Sequence, residues 1–410
     1  MMDLSLSEIE RLEAAFGSPL YLFDETAFTQ NYHELDAALK KQYPKYQISY
    51  SYKTNYTPYI CSAVKRLNGY AEVVSGMEYE IARRVGYPSD QIIFNGPNKG
   101  EDGLSALLEG SIVNVDNLDE MSAVCERVKD FPEKSFEIGL RVNMDLGQSF
   151  TSRFGMDERD IVKAFDLVKE ARNLSVVGLH CHISRCRGLQ AWQKRAEIML
   201  GLADRFFAGR QPKYLDLGSG MFGKMDPVFE AQFDHVPSYT DYAFVTAKLV
   251  ADRYAAVSEA DKPILFTEPG TTLVNKYIDF IGRVDAVKTV RGKSFAVLNC
   301  SEHNLGETCT LKRLPIKILH AGRQTKTYEG LAFVGYTCLE QDVMYTDYCG
   351  ALAVGDYVQF GNVGGYSNVY KPPFIWPNCA MVARKSSGEY AVIKRRETYE
   401  DLLQTYSFHE

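Results

Sequence analysis

Four places in the sequence combine reactive residue types with a pattern that sets them at the end of a strand. Lys53 follows the apolar and aromatic run that ends in Ser-Tyr-Ser-Tyr-Lys-Thr-Asn55. An amine emerging from a buried strand is favoured in its neutral form, the form that condenses with a carbonyl; a lysine that snorkels to a rim is the plainer alternative. His180-Cys181-His182, with Cys186 nearby, offers imidazole and thiolate. On a strand the two imidazoles share one face and Cys181 faces away. No second ligand pair stands at zinc-site spacing, so no metal is expected, and a flat imidazole against a planar ring is the better use. Asp216-Leu-Gly-Ser-Gly-Met-Phe-Gly223 follows an apolar run. Its glycines at 218, 220 and 223 let backbone N–H groups approach an anion, which reads as a phosphate turn; a strand–helix turn with incidental glycines is the alternative. A dinucleotide fold would need a helix next, and Met-Asp-Pro-Val-Phe-Glu-Ala-Gln232 does not supply it. Glu268 precedes Pro269, which ends a strand, so its carboxylate sits at the strand end. It can hold a proton on a ring nitrogen, or form an ordinary surface ion pair.

The elements that must position these residues recur with a rhythm. Short apolar segments run over 48–52, 70–74, 92–94, 112–115, 136–142, 176–180, 214–217 and 264–267. Helical patterns lie between them, among them those starting at Gly76, Gly100 and Asn117, each expected to end near a glycine. Eight strand–helix units predict an α/β fold, a (β/α)8 TIM-like barrel over residues 25–275; an open doubly wound sheet is the alternative. A barrel gathers its chemistry at the carboxyl ends of its strands. Lys53, Ser75, Asn95, Arg141, Asn143, His180, His182, the 216–223 turn and Glu268 all fall there. After about residue 275 the helical patterns thin, and segments near 277–287, 294–300, 315–320, 331–335, 356–361 and 380–384 read as strands. Residues 1–24 and 276–410 are therefore expected to form a second, mostly β domain, joined by the early strand at 20–23. Ser5 with Glu8 fits a capping box for an opening helix that stops at Gly17.

The 46 basic and 53 acidic residues leave a formal charge of −7, the wrong sign for nucleic acid or an anionic membrane surface. Small molecules and other protein chains remain as partners. No run approaches eighteen apolar residues, and the first residues lack a signal-peptide pattern. Nine scattered cysteines show no disulfide framework, so a reducing cytoplasm is expected. Six tyrosines, 336, 345, 348, 357, 366 and 370, crowd one stretch and are expected to line an interface and a pocket.

Taken in order, several motifs resemble the fold-type III pyridoxal-phosphate decarboxylases, the group of diaminopimelate, ornithine and arginine decarboxylases, with alanine racemase a more distant relative. They are Tyr52-Lys-Thr-Asn55, Glu72-Val-Val-Ser75, Arg141-Val-Asn143, Ser152-Arg-Phe-Gly155, Gly178-Leu-His-Cys-His-Ile183, Gly218-Ser-Gly-Met-Phe-Gly223, Glu268-Pro-Gly270, Cys338 with Asp342, and Gly364-Gly-Tyr366. The diaminopimelate decarboxylase-like branch matches best. The resemblance implies pyridoxal 5'-phosphate joined to Lys53 as an aldimine, with His182 stacked on the ring. It implies Glu268 on the ring nitrogen, and the phosphate held by Gly218, Ser219, Gly220 and Tyr366. It also implies a cytoplasmic homodimer with shared sites, in which Cys338 of the neighbouring β domain protonates the quinonoid carbanion after CO2 leaves.

The chain departs from the family pattern in three places. H-x-H-x-G-S becomes His180-Cys-His-Ile-Ser-Arg185, E-P-G-R becomes Glu268-Pro-Gly-Thr271, and C-E-S-x-D becomes Cys338-Leu-Glu-Gln-Asp342. Arg141 and Arg185 are read as substrate contacts, with Arg185 supplying in place of the family's arginine a charge for an anion that Thr271 cannot offer. Leu339 cannot read a far amino group, which leaves Glu340 or Asp342. A diaminopimelate-like, basic or conjugated amino acid is expected in place of diaminopimelate itself. The same residues allow an amino-acid racemase using the same cofactor, or a non-catalytic decarboxylase-like binding protein.

Overall fold

The computed structural model describes residues 1–321 and 325–408. The chain separates into two compact units, one of residues 31–222 with 235–272, the other of residues 1–30 with 223–234 and 273–410. Strands are numbered along the chain, β1 being Leu20–Asp24.

The first unit is a closed barrel of eight parallel strands in sequence order. They are β2 (Tyr46–Ser51), β3 (Tyr70–Val73), β4 (Ile92–Phe94), β5 (Ile112–Val115), β6 (Phe136–Arg141), β7 (Leu174–His180), β8 (Tyr214–Asp216) and β9 (Ile264–Thr267). Each matches one of the eight apolar segments, because a parallel strand covered on both faces must be apolar almost throughout. Closure is made by β9 on β2, with Tyr46 opposite Leu265 and Ile48 opposite Thr267. The expectation of a barrel over an open sheet holds.

Inside the barrel, Tyr214 sends its hydroxyl 2.7 Å to Asn114 Oδ1. That ring needs Gly178, where a Cβ would stand 2.3–2.5 Å from it. Side-chain caps start some of the helices. Ser75 accepts from the Glu78 N–H, and Asn117 accepts from the Glu120 N–H. The helix over Gly76–Val85 stops on Gly86 in the left-handed region, as the sequence suggests. The helix over Leu118–Val128 instead ends on Lys129 in a right-handed helical conformation, so the expectation of a glycine stop fails there.

The second unit holds a nine-stranded sheet. β1 lies inside it, antiparallel to β10 (Ile278–Val290) and parallel to β16 (Ala380–Arg384). The remaining strands are β11 (Lys293–Leu298), β12 (Ile316–Leu319), β13 (Lys326–Val334), β14 (Val343–Leu352), β15 (Tyr357–Phe360) and β17 (Tyr390–Lys394). The main path runs β14-β13-β11-β10-β1-β16-β17, with β15 also on β10 and β12 on β15. The opening helix, Leu6–Phe16, carries the Ser5–Glu8 capping box and packs Ile9 and Leu12 into the core with Leu20, Leu22, Ile281 and Val382. Tyr357 belongs to that core too, where the sequence suggested an interface. β14 and β17 were not foreseen. Both end the main path, where a strand packs on one side only and loses the buried alternation that sequence reading relies on.

Candidate active site

Strand register sets the site. Arg141 lies opposite His180, His180 opposite Asp216, and Ser51 opposite Glu72, so polar side chains from adjacent strands share one layer of the barrel. Glu268 follows β9 by one residue, and its N–H donates to the Gly218 carbonyl at 2.9 Å.

Glu268 is the hub. It is buried, with Oε1 3.2 Å from His180 Nε2 and accepting a hydrogen bond from Asn95 Nδ2. Its Oε2 has no partner among the described residues. Burial alone would raise its pKa, yet His180 and then Lys53 outweigh burial and hold it well below the usual carboxylate range. Asp216 shows the opposite shift. Burial, with the Glu268 carboxylate beside it, pushes Asp216 well above the usual range, while its Oδ1 accepts from the Gly218 N–H at 2.8 Å. One carboxylate of the pair therefore stays ionised and the other keeps its proton.

Lys53 stands just past β2, in the short turn Tyr52–Thr54. Its Nζ lies 3.1 Å from Glu72 Oε2, which also accepts from Ser51 Oγ at 2.5 Å. Glu72 Oε1 accepts from Asn95 Nδ2 at 3.2 Å, and Asn95 Oδ1 accepts from Asn114 Nδ2 at 2.8 Å. The Lys53 amine is thus held at the rim by an ion pair with Glu72.

β7 ends at His180, so His180 and His182 do not share a strand face as expected. His182 lies in the following loop, where its Nδ1 accepts from the Ser219 N–H at 3.2 Å. Burial, then the charge of Lys53, push its pKa well below the usual imidazole value, which leaves a neutral ring. The glycine turn packs against this loop. At Gly218 φ is +61°, and a Cβ would meet the Cys181 carbonyl at 2.3 Å. Ser219 Oγ is buried without a partner among the described residues.

His180, Asp216 and Glu268 bring ligand-type atoms within 4.8 Å of one another, all buried, a metal-capable set the sequence did not suggest. The proton arrangement favours another use. An ionised carboxylate with one oxygen unpartnered suits a protonated ring nitrogen, and an unpartnered hydroxyl in a glycine turn suits a phosphate. With a half-buried lysine on the same rim, these features fit pyridoxal phosphate.

The other expected residues fall elsewhere. Arg141 is buried and paired with Asp116 at 3.0 Å, its guanidinium over the Phe154 ring. Arg185 is exposed, with φ at +66°. In the second unit, Cys338 and Glu340 are exposed. Asp342 is buried with both oxygens engaged: Oδ1 accepts from the Glu302 N–H at 2.7 Å, and Oδ2 from Thr337 Oγ1 at 2.6 Å. Tyr366 is half-buried. Tyr336 stacks on Trp376 at 4.4 Å, Tyr345 and Tyr348 pack on Phe333, and Tyr370 is exposed. Sequence reasoning missed Asn114, Tyr214 and Arg195. The first two lie inside the barrel, where isolated polar residues give no pattern.

A closed parallel barrel with this constellation on its rim defines a pyridoxal-phosphate enzyme of the barrel type. Comparison with known proteins narrows the class. The family described as pyridoxal-dependent decarboxylase, pyridoxal binding domain, matches residues 31–275. Diaminopimelate decarboxylase of Aquifex aeolicus is 24% identical, over 97% of this chain and 93% of that protein. The L-glutamyl-[BtrI acyl-carrier protein] decarboxylase of Niallia circulans is 22% identical, over 98% and 97%. The crystal structure of diaminopimelate decarboxylase from Methanocaldococcus jannaschii superposes with a TM-score of 0.86 at 23% identity, covering 97% of this chain and 94% of that one. The chain belongs to the pyridoxal-dependent decarboxylases. Its cofactor is pyridoxal phosphate and its reaction is the decarboxylation of an amino acid. None of these relatives is a racemase. Among the described residues no helix is long and apolar enough to cross a membrane.

Proposed function

We propose that the chain decarboxylates an amino acid whose far end differs from that of diaminopimelate, at a site completed by a second copy of the chain. The observation that carries the substrate reading is the loop after Cys338. Leu339 stands where the family has an acid, and the Asp342 carboxylate is spent on the Glu302 N–H and the Thr337 hydroxyl. Glu340 is the one acid there left exposed, which suits a modified or conjugated far end better than a free amino acid terminus. One relative is named for a substrate carried on a protein, which is consistent with this reading.

Bound pyridoxal phosphate supplies an electron-accepting ring. Glu268 would hold a proton at the ring nitrogen, and the neutral His182 would lie against the ring face. Gly218, Ser219 and Gly220 would hold the phosphate. Lys53 would hold the cofactor covalently, its amine positioned by Glu72. Arg141 and Arg185 are assigned to the substrate carboxylate. Cys338 of the second copy would deliver the proton that takes the place of the carboxylate already lost as CO2, which makes the amine the product. The nine cysteines are all unpaired, which suits a cytoplasmic enzyme.

Two experiments test this. CO2 release is measured with meso-diaminopimelate, ornithine, arginine, lysine and a carrier-tethered glutamyl thioester. Efficient turnover of meso-diaminopimelate overturns the substrate reading. Mixing inactive Lys53→Ala and Cys338→Ala chains restores about a quarter of the activity if sites are shared across a two-fold dimer. No recovery, with subunit exchange confirmed, overturns the shared site.

A further inference from the structure

Arg195 lies on the helix Leu189–Phe206 and is wholly buried. A buried guanidinium ordinarily has a carboxylate partner, because an unpaired charge is costly away from water. Arg195 has none among the described residues. Its Nη1 donates to the Leu217 carbonyl at 2.8 Å and to the Ser219 carbonyl at 3.1 Å, and its Nη2 donates to the Ile183 carbonyl at 3.2 Å. Its guanidinium lies 4.2 Å from the Trp192 ring centroid, and its Nε is unpartnered.

Those three carbonyls belong to the glycine turn and to the loop after β7. In a trans peptide the N–H points opposite to the carbonyl, and the one cis bond in the described chain is Ser18–Pro19. By drawing the Ser219 and Ile183 carbonyls inward, Arg195 turns the Gly220 and Ser184 N–H groups the other way. Neither N–H has a hydrogen-bond partner among the described residues. The Leu217–Gly218 peptide is gripped from both sides, its carbonyl by Arg195 and its N–H by Asp216. Ser219 adds its unpartnered hydroxyl.

We propose that Arg195 is a positioning residue for an anion hole made by the Gly220 and Ser184 N–H groups and Ser219 Oγ, and that the bound phosphate balances its buried charge. The inference rests on the reading of residues 218–220 as the phosphate turn. It also gives a charge behind that turn in a chain that has Thr271 where the family has arginine.

The test compares cofactor binding with and without a phosphate. Apo-protein is titrated with pyridoxal phosphate and with pyridoxal, followed by visible absorbance. The phosphorus NMR signal of the bound cofactor is recorded in parallel. Arg195→Met is expected to weaken pyridoxal phosphate binding roughly 10- to 100-fold, the range for removing a charge-assisted hydrogen bond, and to leave pyridoxal within about threefold. The phosphorus signal is expected to move. Arg195→Lys, which keeps the charge but has fewer donors, should recover part of the preference, and it carries the test alone if Arg195→Met does not fold. An unchanged preference for pyridoxal phosphate in Arg195→Lys and in any folded Arg195→Met overturns the inference, as does an equal loss of both ligands. A wild-type chain that does not distinguish the two ligands overturns the phosphate turn itself, and the inference with it.

Discussion

Replacing Glu268 by glutamine keeps the shape of the side chain and removes its charge. The amide oxygen can still accept from Asn95, and the lysine and the glycine turn are untouched. What is lost is the electrostatic hold on a proton facing the carboxylate. At an effective dielectric constant of about 20, a unit positive charge 3.2 Å from a carboxylate oxygen, the distance from Glu268 Oε1 to the ring nitrogen His180 Nε2, is attracted by about 5 kcal/mol. A ring nitrogen at hydrogen-bond distance would feel a similar field. If about half of that is expressed in the rate-limiting step, kcat falls about a hundredfold. The assay is CO2 release at saturating cofactor, with cofactor affinity measured separately. Affinity should change by less than about tenfold, since the phosphate contacts and Lys53 remain. A kcat within about fivefold of wild type would refute the assignment of Glu268 as the charge that holds the ring proton.

Other consequences follow from the same structure. Asp279 is buried, and burial raises its pKa from 3.8 to about 6 although its Oδ2 accepts from the Met2 N–H and from Gln359. A raised carboxylate favours the protonated fold, so it costs about 3 kcal/mol above pH 6 and nothing below about pH 4. Asp279→Asn should therefore stabilise the protein at pH 8 and hardly at pH 4 in urea unfolding; an equal effect at both pH values contradicts this. Gly178→Ala drives a Cβ into the Tyr214 ring and should cost about 1–3 kcal/mol, seen as a lowered Tm that Tyr214→Leu partly restores. Cys338→Ala should lower kcat about a hundredfold, the scale of a lost general acid, and leave the absorbance of bound cofactor unchanged; normal turnover removes Cys338 as the proton donor.

The barrel was legible because its strands are buried on both faces and therefore uniformly apolar. Lys53, His182, Glu268 and the glycine turn were legible because they stand where such runs stop. Arg195 was not. It sits in Gln193-Lys-Arg-Ala196, which reads as a solvated helical face, yet Arg195 turns inward and is covered by Trp192. Asn114 and Tyr214 were hidden for a related reason, since one polar atom inside a strand matters only once its cross-barrel partner is known. Asp342 shows the converse. Its place after Cys338 suggested a substrate contact, and only the fold reveals that Thr337 and Glu302 take its oxygens. Arg185 fits its suggested role by residue type alone, because it stands exposed without a defining contact among the described residues.

The central claim is that Lys53 carries the cofactor. Borohydride reduction of the cofactor-loaded protein, followed by peptide mass spectrometry, tests it directly. The account predicts one pyridoxyl-phosphate adduct per chain, on Lys53, and none in Lys53→Ala. An adduct on another lysine, such as the buried Lys99 paired with Glu120, or a loaded protein without any adduct, would contradict it.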